Sequence, residues 1–232
     1  NMAKTLERIL KNRITSGIVI DTQNKLLKKI RVIKGSHPLP SLKNIKATNK
    51  IINLLKKCGR DDLIICLISG GGSALMLSPR ISLQKQIEIN KILLKKGANI
   101  QEINTIRKHL SYIKGGQLAN LAEKSEIITL IISDVMSNDL NVIASGPTVR
   151  DPTTIKDAKI ISKKYSLPPL PFIETPKKIL SNVTNILLTN NITAVKSMYK
   201  NALSLGYKPK ILTTQLNGEA KSVGKSLSEL IK

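Results

Sequence analysis

The sequence predicts an α/β protein with a mostly parallel sheet, doubly wound into three layers with helices on both faces. Three observations carry that expectation. Short apolar runs alternate with amphipathic stretches of helical length along the 232 residues, the order that yields parallel strands joined by crossover helices. Two of the runs, Leu63 to Ile68 and Ile127 to Ile132, are apolar almost throughout, as strands covered on both faces must be. Both then break into glycines, hydroxyls and carboxylates, which places those groups at the carboxyl edge of the sheet, where open α/β sheets bind ligands.

In chain order, Met2, Leu6, Ile9 and Leu10 fall at helical spacing within residues 2–12. Strands follow at 17–20 and 30–33, the second ending at Gly35-Ser36-His37-Pro38. Leu42, Ile45, Ile52 and Leu55 mark one face of a helix over 41–58, with Ser41 as N-cap and Gly59 as the stop. After strand 63–68 comes a helix over 81–96, capped by Ser82 and ended by Gly97. Strand 127–132 opens into Ser133-Asp134-Val135-Met136-Ser137-Asn138-Asp139. A helix over 153–165 precedes a surface connection bearing Pro168, Pro169, Pro171 and Pro176. Strand 186–189, helix 193–205 and strand 210–214 make one more β-α-β unit, and 218–232 reads as a last helix. The whole is Rossmann-like and forms a single α/β domain.

The net charge of +23 invites a nucleic-acid reading. Against it, only seven of the 38 basic residues are arginine, the lysines are spread along the chain, and aromatic content is 2% with no Trp on which bases could stack. No nucleic-acid partner is expected. The longest uncharged run, 63–79, is interrupted by three glycines and does not read as a membrane span. Cys58 and Cys66 have neither disulfide nor metal spacing, so a reducing cytoplasmic setting is expected. Nothing in the pattern decides for or against a homo-oligomer.

Chemistry concentrates in four segments. Ser69-Gly70-Gly71-Gly72-Ser73 lets the backbone bend sharply and bring N–H groups and hydroxyls against a phosphate or carboxylate. Residues 104–116 are expected as a carboxyl-edge loop in which Arg107, Lys108, His109 and Lys114 sit beside Gly115-Gly116 at the start of the next helix, a cationic set suited to anions. Asp134 and Asp139 after strand 127–132 suit Mg²⁺, which takes a few hard oxygens and keeps water and phosphate ligands. Ser145-Gly146-Pro147-Thr148 is a second glycine and hydroxyl turn. Other motifs fail: Leu75 stands where G-x-G-x-x-G needs its last glycine, and Gly218 to Gly224-Lys225-Ser226 has one residue too many for a Walker loop.

Together the runs Gly35-Ser36-His37-Pro38, Leu67 to Ala74, Ile103 to Leu118, Ser133-Asp134-Val135 and Asp139 to Pro152 resemble the glycerate 2-kinases that carry a C-terminal MOFRL domain. The resemblance continues more weakly through Glu174-Thr175-Pro176-Lys177 and Gly218-Glu219-Ala220. It implies ATP-dependent phosphorylation of D-glycerate to 2-phosphoglycerate with Mg²⁺, in a cleft between two α/β domains. On that expectation Arg107, Lys108, Lys114 and Asp134 take catalytic roles. His37, Ser69, Gly70, Gly71, Gly72, Ser73, Gly115, Gly116, Ser145 and Thr148 hold substrate and phosphate oxygens, and Asp134 and Asp139 hold the metal. The Asn1-Met2 start, with a helix already under way from residue 2, leads to the expectation that the numbered sequence begins inside a gene. The resemblance also implies a lysine-bearing segment ahead of Asn1 and the MOFRL domain after Lys232. Hydroxypyruvate reductase, a name common among such relatives, and a basic nucleic-acid-binding module are the alternatives.

Overall fold

A computed structural model describes residues 2–178, 181–216 and 218–229. Its strands form two parallel sheets. In the smaller, β1 (Gly17–Asp21) pairs with β2 (Ile30–Lys34), Gly17 opposite Ile30. In the larger, β3 (Leu63–Ile68), β4 (Glu126–Ile132) and β5 (Val183–Thr189) lie in that order, with Ile68 opposite Ile131 and a bulge between Ile131 and Ile132. Because the pairing is parallel, β3 and β4 deliver their carboxyl-terminal loops to the same edge. The expected α/β class is borne out, with the strands divided between two sheets.

The helices are α1 (Met2–Leu10), α2 (Leu42–Leu55), α3 (Gly72–Leu75), α4 (Leu83–Lys95), α5 (Ile100–His109), α6 (Gln117–Leu121), α7 (Ile155–Lys164), α8 (Asn191–Ser204) and α9 (Ala220–Glu229). Ser41 caps α2 and Ser82 caps α4, each accepting a backbone N–H of the first turn, as the sequence predicts. One face of the larger sheet, carrying Ile64, Cys66 and Ile127, packs on Leu55 of α2 and Leu118 and Ala119 of α6. At the carboxyl edge, Ile68 and Ile131 pack on Ile143 and Ala144. Each such buried aliphatic side chain contributes about 1.5–3 kcal/mol relative to exposure. On the opposite face Leu63, Ile186 and Leu188 remain exposed. A separate helical core joins Ile89 and Leu93 of α4, Ile103 and Ile106 of α5, and Ala158 of α7.

Two local expectations are corrected. Residues 100–109 are helical where the sequence suggests a loop, because Asn99 and Glu102 close a capping box and Ile103 and Ile106 supply a buried stripe. Residues 210–214 form no strand, and Ile211 and Leu212 are exposed beyond β5. The last three residues of the helix expected over 218–232 lie outside the described residues.

Candidate functional site

At the end of β3 the chain turns through Ser69, Gly70 and Gly71 into α3. Gly71 adopts φ 78°, a left-handed conformation that costs a residue with a Cβ about 1–2 kcal/mol. Among the described residues no backbone acceptor takes the N–H of Gly70, Gly71 or Ser73, whereas those of Gly72 and Ala74 bond to Ser69 and Gly71. Unpaired N–H groups on neighbouring residues of such a turn are the kind of donor set that can hold an anion.

Other segments close on this turn. A Cβ on Gly70 would collide with the Asp134 carboxylate, and one on Gly71 would lie 3.0 Å from Nε2 of the exposed His37. A Cβ on Gly72 would lie 2.9 Å from that of Ala144. Close approach thus constrains Gly72 against the fixed Ala144, and Gly71 is constrained by its left-handed backbone, whereas at Gly70 the neighbour is the movable end of a side chain. Ala144 and Ser145 are themselves buried in left-handed conformations, φ 51° and 62°. Such strain costs of order 1–3 kcal/mol per residue and persists where the surroundings impose it, often at functional sites.

Beneath the turn runs a hydroxyl relay. Ser73 Oγ lies 3.0 Å from Ser145 Oγ, which donates to Asn104 Oδ1 at 3.0 Å. Lys114, 2% exposed, donates from Nζ to the Ser73 carbonyl at 3.0 Å and reaches the Met76 carbonyl at 3.5 Å. Burial, with the Arg107 charge adding to it, pushes the Lys114 ammonium down to about 7. Lys114 thus grips the turn from below.

Several expected residues are engaged elsewhere. Lys108 forms a buried ion pair with Asp151 at 3.1 Å, and Thr153 and Thr175 also donate to that carboxylate. Arg107 donates from Nε to Asn90 on α4. The N–H groups of Gly115 and Gly116 bond to the carbonyls of Ser145 and Gly146, holding the strained loop and leaving none for an anion. Thr148 is buried against Asn185 of β5, and Asp139 accepts the N–H of Asn141 within its own turn. His109 is fully buried, bonded to the Thr105 carbonyl and to Glu174, the structural role usual for a lone histidine.

The residues the structure gathers at the rim are therefore His37, Ser69 to Ser73 and Asp134, with Ser145 buried directly beneath. A cavity of about 470 Å³ continues from Ser133 and Asp134 along the carboxyl edge to Thr189 and Asn190 ahead of α8. A larger cleft of about 580 Å³ lies between α1 and residues 26–29, but there Glu7 occupies the N–H groups of Lys28, Lys29 and Ile30, so no vacant donor nest remains. Among the described residues no cluster of three or more His, Cys, Asp or Glu could hold a metal ion. Asp134 and Asp139, both exposed, have the carboxylate chemistry for a cation that arrives with phosphate and water ligands.

Two positioning residues escape the sequence. Asn44, fully buried on α2, accepts from Ser36 and Ser41 and donates to the carbonyls of Ser36, Ala74 and Leu75, tying the His37 loop to the end of α3. Asn104 anchors the relay. Their signal is a polar residue at a helix position that should be apolar.

Fold and site define a parallel α/β protein with a glycine turn at the carboxyl edge of its sheet. The chain belongs to the family described as "Domain of unknown function (DUF4147)", whose profile matches residues 1–176. It is 39% identical to a glycerate 2-kinase of Pyrococcus horikoshii, with all of this chain and 56% of that protein aligned. A putative hydroxypyruvate reductase of Agrobacterium vitis is 40% identical over 92% of this chain and 51% of its own length. The crystal structure of a glycerate kinase from Thermotoga maritima superposes with a TM-score of 0.89 at 33% identity, over 99% of this chain and 58% of that one. The chain thus spans about half the length of the curated relatives it matches.

Proposed function

We propose that this chain provides the anion-binding half of an ATP-dependent kinase that phosphorylates D-glycerate to 2-phosphoglycerate. The observation that carries the proposal is the set of free N–H groups at Gly70, Gly71 and Ser73 beside the Asp134 carboxylate. Phosphoryl transfer asks mainly for positioning and neutralisation of charge, which fixed amide donors and a metal-binding carboxylate supply. The relatives named glycerate kinase support the substrate pair. Asp134 would hold Mg²⁺ together with phosphate oxygens and water, the metal neutralising charge on the transferred group. His37, exposed over Gly71, lies where it can meet a carboxylate or phosphate oxygen. The two free cysteines, with no helix among the described residues long and apolar enough to cross a membrane, fit a reaction in the cytoplasm. The reductase reading is weaker, because Leu75 stands where the dinucleotide fingerprint needs glycine.

The test compares two assays on the protein expressed from its complete reading frame: ADP release from ATP with D-glycerate, and NADH oxidation with hydroxypyruvate. Phosphoryl transfer to glycerate supports the proposal. Hydride transfer without it overturns the kinase reading.

A further inference from the structure

The relay beneath the glycine turn has a direction, and the direction dictates what Ser73 can bind. Asn104, 3% exposed, presents Oδ1 to Ser145, and its Nδ2 is buried with no partner among the described residues. With Oδ1 toward Ser145, the amide anchors the relay through its oxygen. An amide oxygen only accepts, so the single Ser145 proton points to Asn104. The 3.0 Å bond between Ser73 and Ser145 must then use the Ser73 proton. Ser73, half-buried at the rim, is left with lone pairs and nothing to donate. The left-handed backbone at Ala144 and Ser145, held by the N–H groups of Gly115 and Gly116, keeps Ser145 in that place.

We infer that Ser73 accepts a hydrogen bond from a hydroxyl of the ligand and does not hold a carboxylate or phosphate oxygen, with Asn104 acting through Ser145 as the positioning residue that imposes this. The inference rests on the proposed function and deepens it. It divides recognition of a hydroxy acid into two parts. The free N–H groups of Gly70, Gly71 and Ser73 take anionic oxygens, while the Ser73 side chain selects for a hydroxyl and repels an unprotonated oxygen. It also revises the expectation that both serines of the turn hold anions.

The test uses the protein from its complete reading frame, with binding measured by calorimetry and turnover measured separately. D-Glycerate is compared with 3-hydroxypropanoate and D-lactate, each of which lacks one of its hydroxyls. One of the two analogues should bind the wild type about 10-fold more weakly than D-glycerate, the scale of one well-made hydrogen bond. In Ser73→Ala and Asn104→Ala that ratio should fall to about 2-fold or less, and Asn104→Asp, which retains an acceptor toward Ser145, should restore it. Ser73→Ala alters only the half-exposed turn, so it reports even if Asn104→Ala does not fold. A ratio unchanged in Ser73→Ala, or not restored by Asn104→Asp, overturns the inference while leaving wild-type glycerate turnover, and hence the proposed function, intact. A wild type that neither binds nor phosphorylates D-glycerate overturns both.

Discussion

Lys114→Met keeps the length of the side chain and removes its charge, which makes the buried ammonium measurable through pH. The Lys114 ammonium is held at about 7 by desolvation and by Arg107, against an ordinary value of 10.5. Each pH unit of that difference is worth ~1.4 kcal/mol, so about 5 kcal/mol separates the charged and neutral forms in the folded protein. The sign follows from proton counts. Below pH 7 both folded and unfolded chains carry the proton and the penalty is complete. Between about 7 and 10.5 only the unfolded chain carries it, so stability rises with pH, and above 10.5 the penalty is gone. In urea denaturation, the wild type should gain about 3 kcal/mol over Lys114→Met between pH 7.5 and pH 10. The gain is taken against the variant, so titration of the remaining lysines cancels. Parallel pH profiles would refute the reasoning, because they would mean that Lys114 titrates normally and does not lie under the turn.

Asp151→Ala should cost about 3–5 kcal/mol in chemical denaturation by stranding the buried Lys108 ammonium, whereas Lys108→Met combined with Asp151→Leu should recover most of the loss. Asn44→Ala removes a buried amide that serves two loops, and should lower stability by about 3 kcal/mol while weakening ligand binding through the displaced His37 loop; unchanged binding would show that Asn44 does not position it. Glu174 is raised by partial burial but lowered more by the Ile155 N–H and Lys177, ending at about 2. Its stabilising effect is present above its ordinary value of 4.5 and fades as pH falls toward 2, so Glu174→Gln should flatten the acid limb of the thermal stability profile over that window.

The sheet was legible because Leu63 to Ile68 and Ile127 to Ile132 have little alternative as runs of β-branched and aliphatic residues that end in turn formers. The glycine turn was legible for the same reason: three consecutive glycines after a buried strand have few uses. The cationic segment misled, because Arg107, Lys108 and His109 look like a charged rim until α5 is recognised. Helical geometry then turns Lys108 to Asp151 and His109 to Glu174. The Asn99 and Glu102 capping box was the signal available for that helix. Lys108 and Asp151 stand 43 residues apart in sequence, and no local pattern announces such a pairing. The Asn104, Ser145 and Ser73 relay was hidden likewise, since hydroxyls and amides acquire direction only once their partners are placed.

The central claim is that the bend from Ser69 to Ser73 and the loop carrying Asp134 form one anion-binding site at the sheet's carboxyl edge. A crystal structure of the complete protein with D-glycerate, Mg²⁺ and a non-hydrolysable ATP analogue tests it most directly. Carboxylate or phosphate oxygens should accept the N–H groups of Gly70, Gly71 or Ser73, with the metal at Asp134. Both ligands seated away from this turn, with those N–H groups facing only water, would contradict it.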